Sequence, residues 1–105
     1  MKRGRIMPVA MNIVRFKPKP GQKDTVIKAH AEFDISAWPG CISIRMVDTG
    51  DGLCVLCEWE STEHMQQAMP LMIALLDSFR DCLDEISSQL GVTDPISGAV
   101  VVDNK

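Results

Sequence analysis

Residues 38–64, WPGCISIRMVDTGDGLCVLCEWESTEH, decide the fold. Two runs rich in apolar and β-branched residues, 41–48 and 53–59, flank Thr49-Gly50-Asp51-Gly52. Glycine supplies the positive φ that a tight hairpin turn needs, so the runs pair as antiparallel strands. A symmetric turn sets Ile44 opposite Cys57 and Ser43 opposite Glu58. Side chains alternate along a strand. One face therefore carries Ile42, Ile44, Met46, Val55, Cys57 and Trp59, and is expected to meet helices. The other carries Ser43, Arg45, Val47, Cys54, Leu56 and Glu58. Arg45 and Glu58 lie diagonally there, and a mutual ion pair is a simpler reading for Arg45 than an anionic substrate. Upstream, Trp38-Pro39-Gly40 ends a helix, because the residue before proline disfavours helical geometry. Downstream, Ser61 or Thr62 caps a second helix, with Glu60 and Glu63 near its positive end.

Working outward, residues 8–16 read as a central strand, apolar apart from Asn12 and Arg15. Lys17-Pro-Lys-Pro-Gly21 is a turn. Residues 24–36 form the first helix, with Val26, His30, Phe33 and Ala37 at helical spacing. After the cap, Met65, Met69, Met72, Leu76, Phe79, Leu83, Ile86 and Leu90 keep a seven-residue period along one helix face. Pro70 interrupts that helix and is expected to start a new segment after a kink. Gly91 stops it. Residues 96–103 form the last strand. Residues 1–7 read as a short flexible lead, and 8–105 as a single domain. The order strand-helix-strand-strand-helix-strand gives an α+β, ferredoxin-like βαββαβ fold, a four-stranded sheet with two helices on one face. The first and last strands are apolar on both faces, Val100-Val101-Val102 included. The uncovered face therefore predicts a homodimer in which two sheets meet across a two-fold axis.

A chain of 105 residues is long enough for one two-layer core. Its net charge of −3 argues against nucleic acid as a main partner. Lys2, Arg3, Arg5, Lys17 and Lys19 are too few and too dispersed for a phosphate track. No apolar run reaches the roughly 20 residues needed to span a bilayer. The early apolar segment is broken by Asn12 and followed by Arg15 and Lys17, unlike a signal peptide. No membrane association and a cytoplasmic location are expected. Cys54 and Cys57 fit Cys-x-x-Cys formally, but strand positions three apart point to opposite faces. The four cysteines, Cys41, Cys54, Cys57 and Cys82, are expected to be mainly buried structural thiols.

Three short pieces, taken in order, carry a family resemblance. They are Phe16-Lys-Pro-Lys-Pro-Gly21, Trp38-Pro-Gly-Cys41 and Glu58-Trp-Glu-Ser-Thr-Glu63. From residue 8 to 103 the chain resembles the dimeric α+β barrel superfamily, and within it the antibiotic biosynthesis monooxygenase-like (ABM domain) group. The resemblance implies cofactor-independent oxygenases acting on aromatic polyketides or quinols, together with haem-degrading enzymes and many proteins without a known activity. Members of the group often carry a histidine nine residues after the tryptophan of the Trp-Glu-Ser motif. Counting from Trp59, this chain has Ala68 there. Asn12 stands where the haem-degrading members carry an asparagine. Ala68 and Ser78 stand where those members carry their tryptophan and histidine, so that reaction is not expected.

The polar residues leave both structural and functional readings open. Asn12 interrupts an apolar strand, and a buried amide must join a local network or meet a ligand. His30 lies beside the apolar stripe of the first helix. It is either a core-edge histidine or a general base, since its ordinary pKa is near neutrality. His64 falls in the first turn of the second helix, where capping is the simplest role. Trp38 and Trp59 read first as packing residues, and the methionine stripe reads first as core. A pocket between sheet and helices would have Trp59, Trp38, His64 and Met69 in its wall, with His30 and Asn12 as the catalytic candidates. No metal is expected, because His30, His64 and the acids fall on different elements without ligand spacing. Without a phosphate-binding glycine loop or a nucleophile elbow, no cofactor is expected either. Two functions remain. One is a cofactor-independent monooxygenase acting on a small aromatic phenol or quinol. The other is a non-catalytic dimeric module binding a small molecule or a partner subunit.

Overall fold

The computed structural model describes residues 9–104, so the N-terminal lead expected over residues 1–7 lies outside the described residues. The elements are β1 (Ala10–Phe16), α1 (Lys23–Ala31), β2 (Cys41–Asp48), β3 (Leu53–Trp59), α2 (Thr62–Gln67), α3 (Met69–Phe79) and β4 (Asp94–Ala99). One antiparallel sheet runs in the order β2-β3-β1-β4. This is the α+β, ferredoxin-like sheet expected from the hairpin, with the helices on one face.

The hairpin strands have the expected bounds, and Ile44 faces Cys57 while Ser43 faces Glu58. The far end of the hairpin differs. An irregularity between Cys41 and Ser43 sets Cys41 opposite Trp59. Cys41, not Ile42, therefore joins Ile44 and Met46 against the core. A bulge adds one residue to one strand and so reverses the face of what lies beyond it. Among the described residues the expected Arg45–Glu58 pair is absent, although the register keeps the two diagonal, with Arg45 opposite Leu56 and Ser43 opposite Glu58. On that face Arg15 instead holds Asp94 of β4 at 2.6 Å.

Both helices are shorter than their apolar periods. The first ends at Ala31. Asp34 then starts a separate 3₁₀ turn, Ile35–Ala37, by accepting from Ser36 N at 3.0 Å and Ser36 Oγ at 2.7 Å. Such local side-chain bonds compete with helix continuation. The second helical region breaks at Ala68, and Pro70 lies in the first turn of α3, where its missing N–H costs nothing. The region ends at Phe79, followed by a 3₁₀ turn Arg80–Cys82, rather than running to Gly91. Backbone bonds from Lys19 N to Cys82 O (2.8 Å) and from Asp84 N to Lys17 O (2.7 Å) take this segment into a bridge with the Pro18 turn. Leu83 is still buried, as its place in the period implied, but from extended chain.

The last strand begins and ends earlier than the expected 96–103. Pro95 is tolerated because β4 is an edge strand. Beyond Ala99, Val100 N bonds to Val9 O at 2.7 Å and continues the pairing to the first described residue. Val101 and Val102 are exposed.

The core lies between sheet and helices. It joins Ala10, Phe16, Val55, Cys57 and Trp59 from the sheet to Val26, Met65, Ala68 and Phe79 from the helices. Cys57 faces this core while Cys54 faces away, as strand alternation requires, and all four cysteines are free. Among the described residues no helix is long and apolar enough to cross a membrane.

Candidate functional site

A cavity of about 520 Å³ opens between the β1–β4 side of the sheet and α2–α3. This falls within the usual range for small-molecule sites, about 300–1,000 Å³. The wall is mostly apolar: Val14, Phe16, Val55, Phe79 and the methionines Met65, Met69 and Met72 among others. Polar groups are few, namely Asn12, His30, Gln66, Thr93 and Ser97.

Asn12 reaches the cavity from the middle of β1, on the helix-facing side, between Cys57 of β3 and Ser97 of β4. It is only 9 % exposed. The Trp59 indole N–H donates to its Oδ1 at 2.6 Å. Among the described residues its Nδ2 has no hydrogen-bond partner, yet no buried polar side-chain atom is left unsatisfied. Nδ2 therefore opens onto the cavity.

His30 sits on the last turn of α1. Its Nδ1 lies 2.8 Å from the Val26 carbonyl. A carbonyl only accepts, so Nδ1 carries the proton and the neutral ring presents a bare lone pair at Nε2. The ring packs against both Phe16 and Phe79, with centroids at 5.8 and 5.0 Å, and those two rings meet edge to face at 5.4 Å. Burial pushes its pKa below the ordinary imidazole value, partly opposed by the Val26 hydrogen bond. Burial thus favours the neutral ring beside an apolar space.

The structure brings together Asn12, His30, Trp38 and Met69 of the residues singled out from sequence. Trp59 and His64 stand apart from the wall. Trp59 is fully buried behind Asn12, stacked on Trp38 at 5.8 Å. His64 is engaged at the start of α2, where its N–H donates to Ser61 Oγ at 3.1 Å and its Nδ1 meets the same hydroxyl at 2.7 Å. That hydroxyl belongs to the helix cap, as expected for this position. Sequence reasoning missed Phe79, whose ring fixes His30, and Gln66, Thr93 and Ser97 at the cavity edge. Phe79 carried a signal, its place in the apolar period. Ser97 carried none, since only the β1–β4 register puts it beside Asn12. Among the described residues no three His, Cys, Asp or Glu side chains gather as metal ligands would.

Solved structures with this architecture are numerous, and their likeness concerns the fold. A protein of unknown function from Nitrosomonas europaea is 18 % identical, with 97 % of each chain covered and a TM-score of 0.69. A dimeric ferredoxin-like protein from an uncultured marine organism is 14 % identical, covering 93 % of this chain and 92 % of its own, with a TM-score of 0.68. A Streptomyces coelicolor monooxygenase, solved in complex with nanaomycin D, is 13 % identical, covering 94 % and 92 %, with a TM-score of 0.65. No curated protein matches the sequence. The profile of the family described as antibiotic biosynthesis monooxygenase matches residues 10–69, from the start of β1 to the first residue of α3, which is more than half of the chain and includes Asn12, His30, Trp38 and Trp59. The chain belongs to the antibiotic biosynthesis monooxygenase family.

Proposed function

We propose that the protein is a cofactor-independent monooxygenase of a small aromatic phenol or quinol. One observation carries this reading. Asn12, whose Nδ2 is uncommitted, and His30, whose Nε2 is uncommitted, line the same apolar cavity. His30 takes the phenolic proton, and the electron-rich phenolate reacts directly with molecular oxygen. For a phenol with a free para C–H the step balances as phenol plus O₂ giving para-quinone plus water. One oxygen atom becomes the new carbonyl, and the other leaves as water with the O–H and C–H hydrogens. Apolar walls exclude water from the anion, and the Asn12 amide steadies its oxygen.

The same reading includes a homodimer. Leu56, Ile13 and Ile96 lie in one register row across β3, β1 and β4, on the face without helices, and Ile96 is 65 % exposed. A sheet face of this kind is covered most simply by a second copy. Free thiols fit a reducing compartment such as the cytoplasm.

Oxygen uptake with 1-naphthol tests the catalytic part. One O₂ per 1,4-naphthoquinone is expected, with loss of most of the rate in His30→Ala. Uptake no greater than in that variant removes the reading. A non-catalytic binding module of the same fold is favoured by one feature: the position where related proteins often carry a histidine holds the buried Ala68. For such a module, ligand binding persists without oxygen consumption.

A further inference from the structure

A primary amide has two ends of similar shape and opposite hydrogen-bonding character. At Asn12 the choice between them is made by Trp59. An indole N–H only donates, so the atom it meets at 2.6 Å is the amide oxygen. Reversing the amide would set two donors against each other in a fully buried place, which is costly. Trp59 is itself held by packing, with no exposed surface and its ring stacked on Trp38 at 22° between planes.

We infer that Trp59 is a positioning residue that makes Asn12 a donor-only pole, so that the cavity selects ligands presenting an acceptor oxygen, such as an aryl ketone carbonyl, to Nδ2. This rests on the cavity being a ligand site. His30 is the opposite pole, because its Nδ1–H is taken by Val26 and only the Nε2 lone pair is left. The indole–amide contact thus reaches the ligand without Trp59 touching it.

Matched probes separate this role from packing. Tetralin offers no polar atom, and 1-tetralone adds a single acceptor to nearly the same shape. Binding is read by quenching of tryptophan fluorescence, for which Trp38 in the cavity wall is retained in every variant. Relative to tetralin, affinity for 1-tetralone is expected to fall about fivefold in Trp59→Phe, the worth of one hydrogen bond. Affinity for tetralin itself should stay within about twofold, because the ring stack is kept. A general loosening of the core would weaken both probes together and leave their ratio alone. In Asn12→Asp, a carboxylate accepts from Trp59 and offers a second acceptor to the cavity. Preference should then turn from 1-tetralone toward 1-tetralol. An unchanged probe ratio in Trp59→Phe, or persistent preference for 1-tetralone in Asn12→Asp, overturns the inference alone. Binding of neither probe to the parent protein overturns the cavity reading and this inference together.

Discussion

Gly40 and His64 share one small space: a Cβ on Gly40 would lie 2.6 Å from Cβ of His64 and nearer still to its ring carbons. Gly40 has φ of 84°, and its carbonyl accepts from Glu60 N at 2.9 Å. The two ends of the 38–64 stretch therefore close on each other and tie the start of β2 to the start of α2. Gly40→Ala is expected to cost about 2–3 kcal/mol, combining about 1–2 kcal/mol of left-handed strain with displacement of the ring. Urea denaturation measures it. Adding His64→Ala should recover the displacement part and leave the strain. No recovery would mean that the ring is not what limits Gly40.

Ser61 Oγ serves the helix and the histidine at once, accepting from His64 N and meeting His64 Nδ1. Ser61→Ala should lower stability by about 1–2 kcal/mol, near the top of the range for a lost N-cap. Thermal unfolding tests this, and a change below about 0.5 kcal/mol would contradict the role of the cap.

His30 gives a pH dependence with a definite sign. Burial lowers its pKa in the folded state below the ordinary value of 6.5. The unfolded chain therefore binds this proton more readily. The stability contribution is complete above 6.5 and is lost as pH falls from there through the lower folded-state pKa. Urea midpoints should drop between pH 7 and pH 5, and His30→Gln should flatten that drop. An equal slope in the variant would assign the acid loss to other groups.

Burial, and then the neighbouring Cys41, pushes the Cys57 thiol up to about 12. Only the thiolate is nucleophilic. In native protein at pH 8, iodoacetamide should modify Cys57 last of the four cysteines, as read by peptide mass spectrometry. In urea the four should react at similar rates. Early labelling of Cys57 in native protein would mean that β3 opens to solvent.

The row Leu56–Ile13–Ile96 bears on assembly. Sedimentation at micromolar concentration should find a dimer for the parent chain and a protomer for Ile13→Lys. A parent chain that sediments as a protomer removes the homodimer reading, leaving the cavity chemistry to be tested separately.

The hairpin was legible from residue types because its information is local. Thr49-Gly50-Asp51-Gly52 sets the turn, and the turn sets the register through Ile44–Cys57. The apolar period after Met65 was legible as burial but not as helix. Leu83 is buried from extended chain because Lys17 and Lys19 offer its neighbours backbone partners more than sixty residues away in sequence. Asn12 and His30 were visible as polar interruptions of apolar patterns, yet their chemistry was undecided at that level.

By itself the sequence determined the order of the elements, the hairpin, a helix cap at Ser61 or Thr62 and the break near Pro70, all consequences of conformational preferences within a few residues. Only the tertiary structure decided which end of the Asn12 amide meets the cavity and which nitrogen of His30 stays bare. Trp59 is 47 positions from Asn12, and the Phe79 ring that packs on His30 comes from another helix. Amide orientation and tautomer are set by whatever hydrogen-bonding and packing partners folding brings alongside, and no short-range rule encodes them.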